Sequence, residues 1–143
     1  MKCKKLMTKN VVAITPDAKV EEAARRMRDR NIGFLPVIDD TGHVWGVLTD
    51  RDIAIRVVGS GLDPRNTTVN DVMSREVVAC RPTDDLADVQ ILMAKHKKSR
   101  ILVTDKEATL LGMLSLADIA LIESPRRAGK TLRRVAQREV ASS

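Results

Sequence analysis

Aromatic residues are almost missing from this 143-residue chain, which has one Phe, one Trp and no Tyr. Its core must be built from Val, Ile, Leu, Ala and Met, and it has no aromatic platforms on which to stack the bases of a single strand. Long apolar runs are missing too, and none approaches the roughly 20 residues of a membrane span. The opening Met1-Lys2-Cys3-Lys4-Lys5-Leu6 is basic, but no apolar stretch follows it. That argues against a secretory signal and for a cytoplasmic protein. Cys3 and Cys80 form no CxxC pair, so neither a zinc site nor a disulfide framework is expected. His43 falls in a hairpin turn and His96 near a helix end, neither with a partner at ligand spacing. No Ser–His–Asp or Cys–His arrangement is legible. No catalytic or metal residue is therefore expected, and the chain does not read as an enzyme.

Charge is present but unevenly placed. The net charge is +6, and the tail 124–143 holds Arg126, Arg127, Lys130, Arg133, Arg134 and Arg138 against Glu139 alone. A chain docking nucleic acid along a whole face would spread its basicity more widely. In the tail, Leu132, Val135, Ala136 and Val140 fit one apolar face of a short helix. That helix reads either as a frayed or dimer-packing element or as a binding arm for nucleic acid or an acidic partner. Ser124–Thr131 is similar to the end of a P-loop, but Ser124 replaces the first glycine and no strand precedes it.

The strongest signal is a repeat. Shifted by 66 residues, the chain aligns on itself without a gap and gives 13 identities across residues 7–54. Met7 falls on Met73, Val11-Val12-Ala13 on Val77-Val78-Ala79, and Pro16 on Pro82. Met27 falls on Met93, Val37 on Val103, Asp39 on Asp105 and Gly46 on Gly112. Leu48 falls on Leu114, and Asp52-Ile53-Ala54 on Asp118-Ile119-Ala120. Thr8/Ser74 and Thr49/Ser115 keep a hydroxyl.

Each copy reads as β-α-β-β-α. A strand Val11–Ile14 leads to Thr15-Pro16-Asp17, where proline favours a helix start and Thr or Asp can cap it. Val20, Ala23, Ala24 and Met27 mark one helical face, which Asn31 and Gly33 end. Phe34–Ile38 and Val44–Leu48 form a hairpin, and a last helix starts near Asp50. The second copy predicts a strand Val77–Cys80, a helix over 84–96, strands Arg100–Thr104 and Leu110–Leu114, and a helix from Leu116. The expected division is 1–58, a linker 59–70, then 71–123 and the basic tail 124–143. Copies this small are marginal alone, so they are expected to pair around a pseudo-two-fold axis, leaving clefts where they meet.

The repeated polar positions carry the chemistry. Gly46-Val47-Leu48-Thr49-Asp50-Arg51-Asp52 matches Gly112-Met113-Leu114-Ser115-Leu116-Ala117-Asp118. A hydroxyl where a strand turns into a helix suits an anion, and an Asp three residues on can accept both hydrogens of a ribose diol. The same residues also spell a capping box, Thr49 with Asp52 and Ser115 with Asp118. The two roles are compatible.

The repeat order, the Met-x-x-x-Val-Val opening, Pro36-Val37-Ile38-Asp39 and the Gly-h-h-Thr/Ser-x-x-Asp close together resemble CBS domains, here a stand-alone tandem pair (a Bateman module) of α+β class. The resemblance covers residues 5 to about 123. It implies a regulatory sensor binding AMP, ADP, ATP, S-adenosylmethionine or NAD, with AMP or ATP favoured. Asp52 and Asp118 would hold ribose, and Thr49 and Ser115 phosphate. Adenine would lie against Val12 and Thr15, or Val78 and Arg81. Arg100, opposite Phe34 in the repeat, and Arg51, opposite Ala117, are phosphate candidates that make the two sites unequal. Leu102 stands where the first copy has Pro36. The family also implies a homodimer and a regulated partner protein. Met27 and Met93 read either as that dimer surface or as core.

Overall fold

The computed structural model describes residues 1–122 and 125–142. Within its last helix, the side chains of 125, 127, 128 and 138–142 lie outside the description. The chain forms two compact units that interleave along the sequence. One contains 11–77 with 108–110, and the other contains 1–10, 78–107 and 111–143. No helix among the described residues is long and apolar enough to cross a membrane.

In the 11–77 unit, α1 (Val20–Arg30) buries Val20, Ala23 and Met27. Its stop is Asn31, left-handed at φ 53, whose backbone N–H returns to the last carbonyls. The strands β1 (Phe34–Ile38) and β2 (Val44–Thr49) pair antiparallel, Phe34 opposite Thr49, with a bulge at Val37/Ile38. A three-residue helix α2 (Asp50–Asp52) continues into a π-helical stretch, Ile53–Val58. A short α3 (Val69–Val72) follows. Ile14, Val20, Met27, Leu35, Leu48 and Val57 share one buried core.

Two expectations fail here. Val11–Ile14 is not a strand, since only Ile14 pairs, by a parallel bridge to Val37. The Ala13 carbonyl accepts from the Arg26 guanidinium instead of a ladder partner. Nor does Thr15-Pro16-Asp17 cap α1. The cap position is Lys19, which makes no side-chain cap bond. Lys19 bridges to Thr68, and the Pro16 carbonyl accepts from Asn70 N, so the tripeptide is a turn ahead of the helix.

The other unit repeats the plan with β3 (Ala79–Cys80), α4 (Leu86–His96), β4 (Arg100–Thr104), β5 (Leu110–Ser115) and α5 (Leu116–Ala120). β3 pairs parallel to β4, Ala79 with Leu102 and Cys80 with Val103, and β5 lies on the far side of β4. A final α6 (Pro125–Ser142) seats Val135 in this unit's core beside Leu86, Met93 and Ile119. Leu132 is 56% exposed, so the expected apolar face of the tail is corrected to one that buries Thr131 and Val135. Ser124 and the side chain of Val140 lie outside the described residues. Met27 and Met93 are both buried in their own cores, which removes them as a surface for a second copy.

The opening segment of each copy is what interleaves the units. Thr8 bridges Met113, while Ser74 bridges Val47 with reciprocal bonds of 2.9 Å. Ala108 and Leu110, from the second hairpin turn, bond to Val44 and Gly42 and so belong to the 11–77 unit.

Candidate functional site

Both copies build the same local device where the second hairpin strand becomes a helix. In the 11–77 unit, Thr49 Oγ1 accepts from Asp52 N at 3.1 Å and Asp52 Oδ2 accepts from Thr49 N at 3.0 Å. In the other unit, Ser115 Oγ accepts from Asp118 N at 3.0 Å and Asp118 Oδ2 accepts from Ser115 N at 3.1 Å. The two capping boxes are complete and fix each hydroxyl and carboxylate against the backbone. In each, Oδ1 of the aspartate stands outside the cap and remains an acceptor.

The surroundings of the two carboxylates differ. Asp52 Oδ1 faces the Ser74 hydroxyl at 3.5 Å and Arg56 Nε at 3.9 Å. Arg56 is itself anchored, since its Nη1 donates to the carbonyls of Val72 and Met73 at 2.9 and 3.1 Å. The position equivalent to Arg56 is Ile122, so the Asp118 site lacks this cation. Sequence reasoning missed Ser74 and Arg56. The repeated hydroxyl at Thr8/Ser74 was a legible signal for the first, while Arg56 breaks the repeat and gave none.

The remaining candidates divide by unit. Arg51 is exposed at the start of α2, while its backbone N–H binds Asp50 Oδ1. Arg100 is exposed at the start of β4. Leu116 N donates to Ser99 O at 2.8 Å, which brings that strand start beside Ser115. Val12 and Val78 are half-buried and Thr15 is exposed. Arg81 is already engaged. Its Nη1 donates to Thr104 Oγ1 at 2.9 Å and to the Asp105 carbonyl at 2.7 Å, and its backbone N–H to Asp84 Oδ2 at 2.9 Å. That guanidinium clamps the second hairpin, and the Arg81 carbonyl accepts from Asp84 N at 3.1 Å, so a ligand could meet this residue only along its backbone surface. His43 approaches Asp39 Oδ1 at 3.9 Å within its turn. Among the described residues no group of three or more His, Cys, Asp or Glu is placed to hold a metal ion.

Comparison with known proteins identifies the repeated unit. The family model described as "CBS domain" matches residues 3–59 and 69–123. The CBS domain-containing protein YhcV of Bacillus subtilis is 36% identical over 138 residues, 96% of each chain. The CBS domain pair of protein MJ0100, solved in complex with 5-methylthioadenosine and S-adenosyl-L-methionine, superposes with a TM-score of 0.74 at 24% identity. That match covers 85% of this chain and 94% of that one. The cytosolic domain of the Mg2+ channel MgtE, solved in complex with ATP, gives a TM-score of 0.74 at 31% identity. There the match covers 85% of this chain and 48% of that one.

Proposed function

The chain belongs to the CBS-domain family, and from that premise we propose that it is a regulatory module holding an adenosine-bearing ligand at Thr49/Asp52 and Ser115/Asp118. The observation that carries the reading is the paired capping box. Twice, at the same point of the repeat, an aspartate uses one oxygen to fix its own backbone and keeps the other as an acceptor. A vicinal diol needs such a rigid acceptor, because an already ordered carboxylate loses little freedom on binding. The MJ0100 pair carries 5-methylthioadenosine and S-adenosyl-L-methionine and the MgtE domain carries ATP, which favours the adenosine class. Adenine would lie along Val12 and Thr15, or along Val78 and the backbone of Arg81. Arg51 and Arg100 would meet phosphate, so AMP or ATP is favoured over uncharged adenosines. Ligand binding would shift the population of conformers that a regulated protein, or a second copy in a homodimer, recognises.

The test is a thermal-shift panel of AMP, ADP, ATP, S-adenosylmethionine and NAD on the full chain. A ligand at 100 times its Kd adds about 2.7 kcal/mol of stability. Asp52→Asn and Asp118→Asn should then each remove one site. A panel with no shift, or a shift that survives both substitutions, overturns the assignment.

A second reading rests on α6. Arg126, Lys130, Arg133 and Arg134 are exposed on that helix, while Thr131 and Val135 are buried. The exposed residues make a cationic outer face for nucleic acid or an acidic protein. Reversing those four charges tests it better than deleting the tail, because deletion also takes Val135 from the core. Loss of partner binding with nucleotide binding absent would favour this reading.

A further inference from the structure

Cys3 and Cys80, 77 residues apart, meet inside the unit that contains both, with Sγ to Sγ at 3.5 Å. Both are free thiols and both are buried, at 0% and 4% exposure, in the core with Leu86, Met93 and Val103. The repeat makes this pairing unusual. The equivalents of Cys3 and Cys80 are Val69 and Ile14, both buried in the core of the other unit. Hydrocarbon fills these positions in one unit, whereas sulfur does so in the other.

We propose that Cys3 and Cys80 are an oxidisable dithiol, converted by a hydroperoxide into an intramolecular disulfide that staples the segment Met1–Leu6 onto β3. The distance suits the chemistry. A disulfide needs about 2.05 Å between sulfurs, so the two atoms must close by about 1.5 Å. The position of each thiol assigns the roles. Cys3 lies on the segment Met1–Leu6, flanked by exposed residues, and meets the peroxide when that segment opens, whereas Cys80 stays on β3. In the closed state either thiol can donate the hydrogen bond between them, which lowers the Cys3 thiol and, with burial, raises the Cys80 thiol. Cys3 is therefore the nucleophile.

Its thiolate attacks one peroxide oxygen, and the O–O bond breaks. Cys3 becomes a sulfenic acid and the other oxygen leaves as water. Cys80 then loses its proton and attacks the Cys3 sulfur. The S–S bond forms, the S–O bond breaks, and hydroxide leaves with that proton as a second water. Two thiols have given two electrons and two protons, and one hydrogen peroxide has become two waters.

Access comes through the segment that carries Cys3. Met1, Lys2, Lys4 and Lys5 are exposed. The segment is held by Cys3 N to Asp84 O, Lys4 N to Pro82 O and Leu86 N to Met1 O, together with an exposed Lys2–Asp85 ion pair at 2.9 Å. A strap held by so few bonds opens locally without global unfolding. On reclosing, it sets the oxidised Cys3 sulfur back against Cys80.

The test treats the reduced full chain with hydrogen peroxide and measures intact mass, free thiols and trypsin cleavage after Lys2, Lys4 and Lys5. The expected result is loss of both thiols with a mass lower by about two units and one peptide containing both cysteines. Cleavage in the strap should slow by about tenfold or more, and dithiothreitol should reverse every change. Cys3→Val and Cys80→Ile, the residues the other copy carries, keep the core filled. They should abolish both the cross-link and the change in cleavage. Oxygen adducts on separate cysteines, disulfides only between chains, or thiols inert in the folded chain but reactive in urea would each overturn the dithiol. A cross-linked chain cleaved at the unoxidised rate would overturn the staple.

Discussion

The carbonyl oxygen of Ser74 lies directly over Gly46, so close that a Cβ on residue 46 would come within 2.5 Å of it. The same relation holds in the other copy, where a Cβ on Gly112 would meet the Thr8 carbonyl at 2.8 Å. The repeated Met–hydroxyl pair and the repeated glycine are thus two halves of one contact. The glycine is required by the close approach of a second backbone.

Alanine at Gly46 should therefore destabilise the chain by about 1–3 kcal/mol, since the obstacle is backbone and must be displaced. Gly112→Ala should act in the same direction. Among the described residues, nothing lies within 4 Å of a Cβ placed on Gly129, in α6. Gly129→Ala should raise stability by about 0.5–1 kcal/mol through helix propensity. Urea denaturation of the three variants checks the opposite signs.

Asp52 combines a cap and a proposed ligand contact, and two substitutions separate them. Asp52→Ala removes the carboxylate end of the capping box and should cost about 0.5–2 kcal/mol of stability along with binding. Asp52→Asn keeps an acceptor for Thr49 N, so stability should hold while nucleotide affinity falls more than about tenfold. Calorimetric titration beside thermal melting reads both quantities.

Arg81 is expected to behave as a clamp. Arg81→Met removes the bonds to Thr104 and Asp105 and should lower stability by about 1–2 kcal/mol. Nucleotide affinity should change less than about threefold if the ligand meets only its backbone. A large loss of affinity at unchanged stability would give the guanidinium to the ligand instead.

The hairpin turn of the first copy predicts a specific acid response. Asp39 accepts from the Thr41 hydroxyl at 2.6 Å, the Trp45 indole N–H at 3.0 Å and the backbone N–H groups of His43 and Thr41. These bonds, Thr41 first and Trp45 second, hold its carboxyl well below the usual carboxylate range. A depressed folded-state value contributes stability that is present above the unfolded value of about 4 and is lost as pH falls through the folded one. Trp45 is the single tryptophan. Its fluorescence should stay level from neutral pH down to about pH 4 and change only in stronger acid. Asp39→Ala should alter it already at neutral pH.

Lys97 ends α4 in the left-handed region at φ 54, where a side chain is a liability. Lys97→Gly should stabilise the chain by up to about 1 kcal/mol, measured as a rise in urea midpoint.

The sequence made the repeat, the hairpins and both capping boxes legible because each is written in local spacing. Val20, Ala23 and Met27 declare a helical face, and Thr49 with Asp52 declares a helix start. What was not legible depends on distant partners. The Arg26 bond to Ala13 takes the place of the strand that the apolar run Val11–Ile14 predicts. The Lys19–Thr68 bridge moves the start of α1 beyond the proline. Cys3 and Cys80 looked unrelated, yet the repeat itself maps them onto two positions of one core. Arg56 beside Asp52 breaks the repeat and so carried no signal.

The exchange of opening segments also sets an order of assembly. Residues 1–10 are synthesised well ahead of the segment 78–107 that they pack with, so they must wait for more than sixty further residues before finding their place. The 11–77 unit lacks only the turn 108–110 and can condense much earlier. Contacts spanning more than a hundred residues, such as Thr8 with Met113, therefore close last, and they make the later unit the slower one to mature.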